Sequence, residues 1–351
     1  MTKIVIATDS FKGSLTSLQV AGAVDEAVRK TLKDVDIKVL GISDGGEGFA
    51  ETVTTAMNGK MVEITGHDAL QREIQTSYGI IGKDIAVMDV ASTIGVTKLK
   101  PYELNPVKAT SFGAGEMIRN ILKRGIRRIV IGLGGSATND CGHGMIDALK
   151  NAEGLDKCEF IIATDVMSPL CGPEGATYLF ARQKGATDKM LAALDMRNRV
   201  YAEKLEHKCG HAIINQPGAG ASGGIGAALM TMKQHSLVRG IEFLLDLYDF
   251  ENVVKDASLI ITGEGKIDPQ TMQGKAPYGI GLAALKANVP SLAICGLLSS
   301  EIDKEQAPWN KIIQVSPPDL SLAEAMKPEV ARQSIVNALE DYFTTTFLAI
   351  S

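Results

Sequence analysis

The chain predicts an α/β fold made of two α/β domains. One has a Rossmann-like, mainly parallel sheet, and the other is inserted in it, with a cleft between them. Three observations carry this expectation. Apolar strand-like runs alternate with helical patterns through most of the 351 residues, which is the grammar of a parallel sheet. Residues 59–97 interrupt that alternation with short strand-like runs separated by turn residues, as in an antiparallel excursion. No low-complexity linker divides the chain, so two domains must be joined by a chain that crosses more than once. The expected boundaries are 1–60 plus 288–351 for the discontinuous domain and 61–287 for the insert.

In chain order, KIVIA is the first strand, and TDSFKGSL leads into a helix whose Val20, Val24, Val28 and Leu32 share one face. Thr16 with Gln19 three residues on forms a capping box, which starts this helix near Ser17. DIKVLGIS is a second strand, followed by DGGEG and another helix. MVEITG, EIQTSYGII and DIAVMDVAS supply the antiparallel runs. Strand and helix then alternate: helix 111–124, strand RRIVIGL, helix 139–150, strand EFIIATDV, and helices 188–208 and 223–234. The last third continues with SLIITGEG, helix 277–287, SLAICGL, IIQVS and a helical stretch 321–347.

Composition excludes several classes of function. Net charge is −5, aromatic residues are 5% of the chain, and Lys and Arg form no stripe, so nucleic acid is not an expected partner. No apolar run reaches membrane-spanning length, and the N-terminus lacks the build of a secretory signal. The five cysteines are odd in number and never in a C-x-x-C pair, which suits packing thiols in a reducing cytoplasm.

Five loops share one design, an apolar strand ending in Gly, Ser, Thr and an acid: residues 8–14, 43–48, 132–140, 164–176 and 262–275. In a parallel sheet such loops lie along one edge and can converge. Their glycines let backbone approach an anion, and helix N-termini add N–H donors. The acids would repel a phosphate unless a metal stood between, and Mg2+ suits carboxylates, phosphate oxygens and water. Lys12, Lys184 and Lys275 each sit in a glycine-flanked segment where they can pair with phosphate or carboxylate. Turn-making and helix capping are the plain alternative for each loop taken singly.

Two segments match the dinucleotide fingerprint, Gly132, Gly134 and Ala137, and Gly218, Gly220 and Gly223. They keep open a nicotinamide-dependent oxidoreductase acting on a small hydroxy acid, and a metabolite sensor without turnover is a third reading. No P-loop is present. Ser10, Ser14 and Ser136 have no base visible in sequence, and the histidines match no common zinc motif.

Taken together, ATDSFKGSL, SDGGEG, NPVKATSFGAGE, LGGSATNDCGHGM, PLCGPEGATYLFARQKGA, PGAGASGGIGAAL and ITGEGKIDPQTMQGKAP resemble the bacterial glycerate kinase family that makes 2-phosphoglycerate. The resemblance covers nearly the whole chain, in order. It implies ATP- and Mg2+-dependent phosphorylation of D-glycerate by a two-domain α/β enzyme. The departures are small: Thr8 replaces a common Pro, Ser43 an Ala, Cys141 and His143 a Gly and an Ala, and Ala181-Arg182 a Gly-Pro. None removes an acid or lysine from a motif.

Phosphoryl transfer needs positioning, charge neutralisation and a group to orient the attacking hydroxyl. Residue type and loop position nominate Asp44, Asp140, Asp268 and Lys12 for catalysis. Ser10, Gly45, Gly46, Gly134, Gly135, Ser136, Thr138, Asn139, Gly263, Gly265 and Lys275 are nominated for substrate and phosphate, and Asp165 and Glu264 for the metal.

Overall fold

The computed structural model describes residues 2–43 and 45–347. The chain forms two compact units, Met1–Ser43 with Ile241–Ser351, and Asp44–Gly240. It opens in the first unit with β1 (Thr2–Thr8) and β2 (Val35–Val39), joined by the helix Ser17–Thr31. The capping box forms as the sequence predicts: the Gln19 N–H donates to Thr16 Oγ1 at 3.3 Å and the Thr16 N–H to Gln19 Oε1 at 2.9 Å.

The second unit carries β3 (Lys60–His67), β4 (Glu73–Ile81), β5 (Ile85–Asp89), β6 (Arg128–Gly132), β7 (Glu159–Ala163) and β8 (Gln234–Val238), side by side in that order. The β3–β4 and β4–β5 pairs are antiparallel, as the break in alternation predicts, and β5 to β8 are parallel. The chain then returns to the first unit with β9 (Leu259–Ile267), β10 (Ser291–Leu298) and β11 (Lys311–Gln314). The first sheet is parallel throughout, in the order β11-β10-β9-β1-β2.

Both sheets are buried through alternating side chains. Along β1, Ile4 and Ile6 pack with Val24 and Val28 of the helix Ser17–Thr31 and with Ile335 and Leu339 of the helix Pro328–Tyr342. Val5 and Ala7 face the other layer, with Ile280 and Ala284 of the helix Ala276–Ala287. The first unit is therefore a doubly wound sheet with helices on both faces. In the second unit, Met117, Ile118 and Ile121 of the helix Phe112–Lys123 pack with Met88, Ile131 and Phe160 from β5, β6 and β7.

The division of the chain differs from the sequence reading at both junctions. The helix Phe49–Ala56 falls in the insert because it packs on β4: a Cβ at Gly79 would meet Thr54 Oγ1 at 1.6 Å. β9 and the helix Ala276–Ala287 fall in the discontinuous unit because β9 pairs with β1.

Several elements differ in extent from the sequence reading or have no counterpart in it. Cys141 and Gly142 take left-handed φ values, which delays the predicted helix 139–150 to His143–Ala148. Pro328 divides the last helical stretch. The predicted helix 223–234 ends at Met230, and Gln234–Val238 becomes the edge strand β8. Its QHS run is exposed and carries no apolar pattern to read. Helix Gly240–Leu247 has no counterpart in the sequence reading.

Candidate active site

The five glycine and acid loops come together in two groups, one in each unit. In the first unit, strand order reverses between β1 and β9. In doubly wound sheets, ligands bind outside the carboxyl ends of the strands at that reversal. The loop leaving β1 holds Ser10 and Lys12; Gly263, Glu264 and Gly265, expected in a loop, lie within β9, and Asp268 and Lys275 follow in the segment that leaves it.

The loop after β1 lies close against the end of β9. The Asp9 N–H donates to the Gly263 carbonyl at 2.9 Å, and the Ser10 N–H to Asp9 Oδ1 at 2.6 Å. A Cβ on Gly265 would stand 3.4 Å from the Lys12 backbone nitrogen, and one on Gly263 would meet the Ile294 carbonyl oxygen at 2.2 Å. Lys275 Nζ lies 3.8 Å from Glu264 Oε2 and 3.8 Å from Asp268 Oδ1, and Lys266 Nζ is 3.4 Å from Asp268 Oδ2. Burial pushes the Asp268 carboxyl up, but Lys275, Lys266 and the Gln270 N–H together hold it below the usual carboxylate range. Glu264 is buried and Lys275 is mostly covered. This cluster can hold an ionised acid beside a cation, as charge handling around phosphate requires.

In the second unit the loop after β6 is the centre. A Cβ on Gly134 would meet the Gly46 Cα at 2.7 Å, and one on Gly45 would meet the Ala163 carbonyl at 2.7 Å, so the 45–48, 132–140 and 164–176 loops adjoin. Asp44 lies outside the described residues. Gly135 takes φ +67° to turn the chain, and Val96 N–H and Ala137 N–H bonds tie the loop to residues 94–96. Among the described residues, the backbone N–H groups of Gly134, Gly135, Ser136, Thr138, Asn139 and Asp140 find no acceptor. A row of such donors on a glycine turn suits an anion.

The acids of this unit have different surroundings. Asp140 Oδ2 accepts from Ser111 N–H and Oγ, both at 2.8 Å, and from Gly144 N–H at 3.2 Å, while Oδ1 accepts from Gly142 N–H at 3.2 Å. These are the contacts of a carboxylate that caps helix starts. Asp165 Oδ1 accepts from the Gly240 N–H at 3.0 Å. Asp89, which the sequence reading passed over, ends β5 and receives the Ala50 and Ser92 N–H groups. Burial pushes its carboxyl up to about 6, against the pull of those two bonds.

The two segments that match a dinucleotide fingerprint meet each other. The Cys141 N–H donates to the Gly223 carbonyl at 2.9 Å, and a Cβ at Gly223 would meet the Thr138 carbonyl at 2.0 Å. Ser222, Gly223 and Gly224 are all left-handed, so the second segment does not open a regular helix as the dinucleotide motif does. Asn139 Nδ2 and Asn198 Nδ2 both approach Thr177 Oγ1, at 3.0 and 3.5 Å. Asn198 and its neighbour Arg197 come from the long charged helix Asp188–Cys209, whose sequence pattern carries no signal of a site.

Among the described residues no three His, Cys, Asp or Glu side chains form a metal cluster, and no helix is long and apolar enough to cross a membrane. Cys141, Cys158, Cys171 and Cys295 are buried thiols, and burial raises each of them, the last three to about 12. These are packing residues.

The first unit carries acids and lysines at a sheet reversal and the second carries unused amides on a glycine turn, and together with the fold they set the chain in the class of α/β enzymes. The sequence pattern of the Glycerate kinase family matches residues 4–153 and 150–346. The chain is 38% identical to a Glycerate kinase of Bacillus subtilis, covering 85% of this chain and 86% of that one. It is 35% identical to the Glycerate 2-kinase of Escherichia coli K12, covering 86% of each. A crystal structure from Salmonella typhimurium LT2 assigned as a glycerate kinase 2 superposes with a TM-score of 0.80 at 33% identity, over 99% of both chains. The chain belongs to the glycerate kinase family.

Proposed function

We propose that this enzyme transfers the γ-phosphoryl group of ATP to a hydroxyl of D-glycerate, giving 2-phosphoglycerate. The observation that carries the reading is the match to glycerate kinases along nearly the whole chain. The acids and lysines around β1 and β9 support it, since phosphoryl transfer is mostly positioning and charge neutralisation. The oxidoreductase reading loses its footing, because neither fingerprint segment builds the turn and helix it needs.

In this reading Lys275 and Lys12 neutralise phosphate or carboxylate oxygens, and Ser10, Gly263 and Gly265 keep the loops close around them. Gly45, Gly46, Gly134, Gly135, Ser136, Thr138 and Asn139 form the anion turn of the second unit. Asp268, ionised beside Lys275 and Lys266, orients the attacking hydroxyl and accepts its proton. Asp140 serves that turn as a helix cap, its carboxylate being occupied by four donors.

Mg2+ fits the donor set. It keeps several waters and takes one or two carboxylates with phosphate oxygens, so it does not need a preformed cluster of three ligands. Glu264, in the first unit, or Asp165, in the second, is the carboxylate that would hold it, and bound Mg2+ would supply neutralisation of the phosphate charge. Incubation with ATP, Mg2+ and D-glycerate, followed by phosphorus NMR, tests the reading. A 2-phosphoglycerate resonance is expected; its absence, or phosphate on the other hydroxyl, would sink it.

A further inference from the structure

Behind the 134–140 turn stand two cations that the sequence does not place there. Lys184 is 4% exposed. Its ammonium donates to Ser136 Oγ at 3.1 Å and to the Thr138 carbonyl at 2.7 Å, which leaves one of its three donors without an acceptor among the described residues. Arg197 Nη2 donates to the carbonyl of the next residue, Asn139, at 2.7 Å. Neither cation has a carboxylate within ion-pair distance among the described residues; Asp140 acts on both from farther away. Lys184 is the buried one of the two, and a buried cation left unpaired is costly, so proteins retain one where an anion completes it; Arg197 is exposed and also donates to the Val107 and Pro106 carbonyls, each at 3.3 Å.

The turn is short of partners in the complementary sense. Apart from that of Ala137, its N–H groups are unused among the described residues, and the fully buried Thr138 hydroxyl has no hydrogen-bond partner among them. Gly223 presses on the same carbonyl from the opposite loop, so the turn cannot relax to recover these bonds by itself.

We infer that Lys184 and Arg197 are the charge source of an oxyanion subsite on the 134–140 turn. The ligand is a carboxylate or phosphate group, bound by the turn's N–H groups and the Thr138 hydroxyl. The two cations grip the turn's carbonyls and place positive charge behind it, as the lysine of an ordinary phosphate loop does from within the loop. Lys184 and Arg197 are positioning and charge residues; Thr138 touches the anion. Burial lowers the ammonium of Lys184 to about 8 against the opposing effect of Asp140, which fits a cation waiting for an anion.

The subsite deepens the glycerate kinase reading, so its test has one arm that does not depend on turnover. The full chain and its Lys184→Met, Lys184→Arg and Thr138→Val variants are compared in two assays. The first is the melting temperature in sodium phosphate against sodium chloride of equal ionic strength. The second is KM for glycerate and for ATP, each with the other saturating.

Phosphate is expected to raise the melting temperature of the wild type and of Lys184→Arg, and to lose that effect in Lys184→Met and Thr138→Val. KM for one anionic substrate should rise at least tenfold in Lys184→Met and Thr138→Val, with Lys184→Arg recovering most of it. A rise for glycerate assigns the subsite to its carboxylate, and a rise for ATP assigns it to phosphate. Thr138→Val breaks no hydrogen bond with a described residue, so it decides the matter where Lys184→Met fails to fold. Unchanged phosphate protection with both KM values within twofold would overturn the subsite. Lost protection in a chain that never phosphorylates glycerate would keep the subsite and sink the kinase reading instead.

Discussion

Asp140 and Ser111 are joined twice, since the Ser111 N–H and the Ser111 hydroxyl both donate to Asp140 Oδ2 at 2.8 Å. The hydroxyl in turn accepts from the Met145 N–H at 2.9 Å, so one carboxylate ties the start of the helix Phe112–Lys123 to that of His143–Ala148. Asp140→Ala is therefore expected to cost about 2–4 kcal/mol of stability, because several donors lose their acceptor at once. Assayed well below its melting temperature at saturating substrate, the variant should keep kcat within about tenfold, whereas loss of a transition-state partner costs roughly 100-fold or more. A 100-fold fall in kcat with unchanged melting would make Asp140 a chemical group.

Asp268→Asn should show the opposite pattern. Its lysine contacts at 3.4 and 3.8 Å are long and partly solvated, so their removal changes stability by less than about 1 kcal/mol. If Asp268 orients and deprotonates the hydroxyl, kcat falls by about 100-fold or more with a small change in KM. A variant with normal kcat would return Asp268 to a turn role, which its bond to the Gln270 N–H already provides.

The contrast between these two acids shows what a sequence can disclose. Strand runs, the capping box at Thr16 and the antiparallel break were legible because each is a local pattern with a local cause. The glycine loops were legible as loops, yet Asp140 and Asp268 look alike until their partners are seen, and Ser111 lies 29 residues from Asp140. Lys184 stood out only as a lysine beside a glycine. Arg197 gave no signal, because its partner carbonyl is 58 residues away and its helix is charged throughout. The edge strand β8 and the unit boundaries escaped for the same reason: pairing across the chain decides them.

Asp89 predicts a pH dependence of stability. Burial raises its folded-state pKa to about 6, above the ordinary value of 3.8. Above pH 6 the carboxyl is ionised in both states and the folded state carries the whole desolvation cost. Below the ordinary value it is neutral in both and the cost is absent. The folded state takes up its proton first as pH falls, so this residue's contribution to stability improves between about pH 6 and 4, by about 3 kcal/mol. Urea unfolding of wild type and Asp89→Asn at pH 7.5 and 4 isolates the effect, since the other titrating groups are common to both. The stability difference should move toward the wild type at pH 4; movement the other way would mean that Asp89 is stabilised as an anion.

Two glycine substitutions test whether the turn behind the anion subsite is held by backbone contact. Gly22 lies inside the helix Ser17–Thr31 with open space where a Cβ would go, so Gly22→Ala should add about 0.5–1 kcal/mol through helix propensity alone. Gly223 takes φ +66°, and its Cβ would stand 2.0 Å from the Thr138 carbonyl and 2.8 Å from the Asn139 Cα. Both atoms belong to the turn that Lys184 and Arg197 grip, so neither can move without breaking those bonds. Gly223→Ala is expected to cost about 3 kcal/mol or more and to raise KM even at temperatures where the protein stays folded. The pair separates two meanings of glycine in one chain, because the same added methyl strengthens a helix at residue 22 and displaces a binding turn at residue 223. If Gly223→Ala melted and bound as the wild type does, the contact between the two glycine loops would not be what fixes the turn.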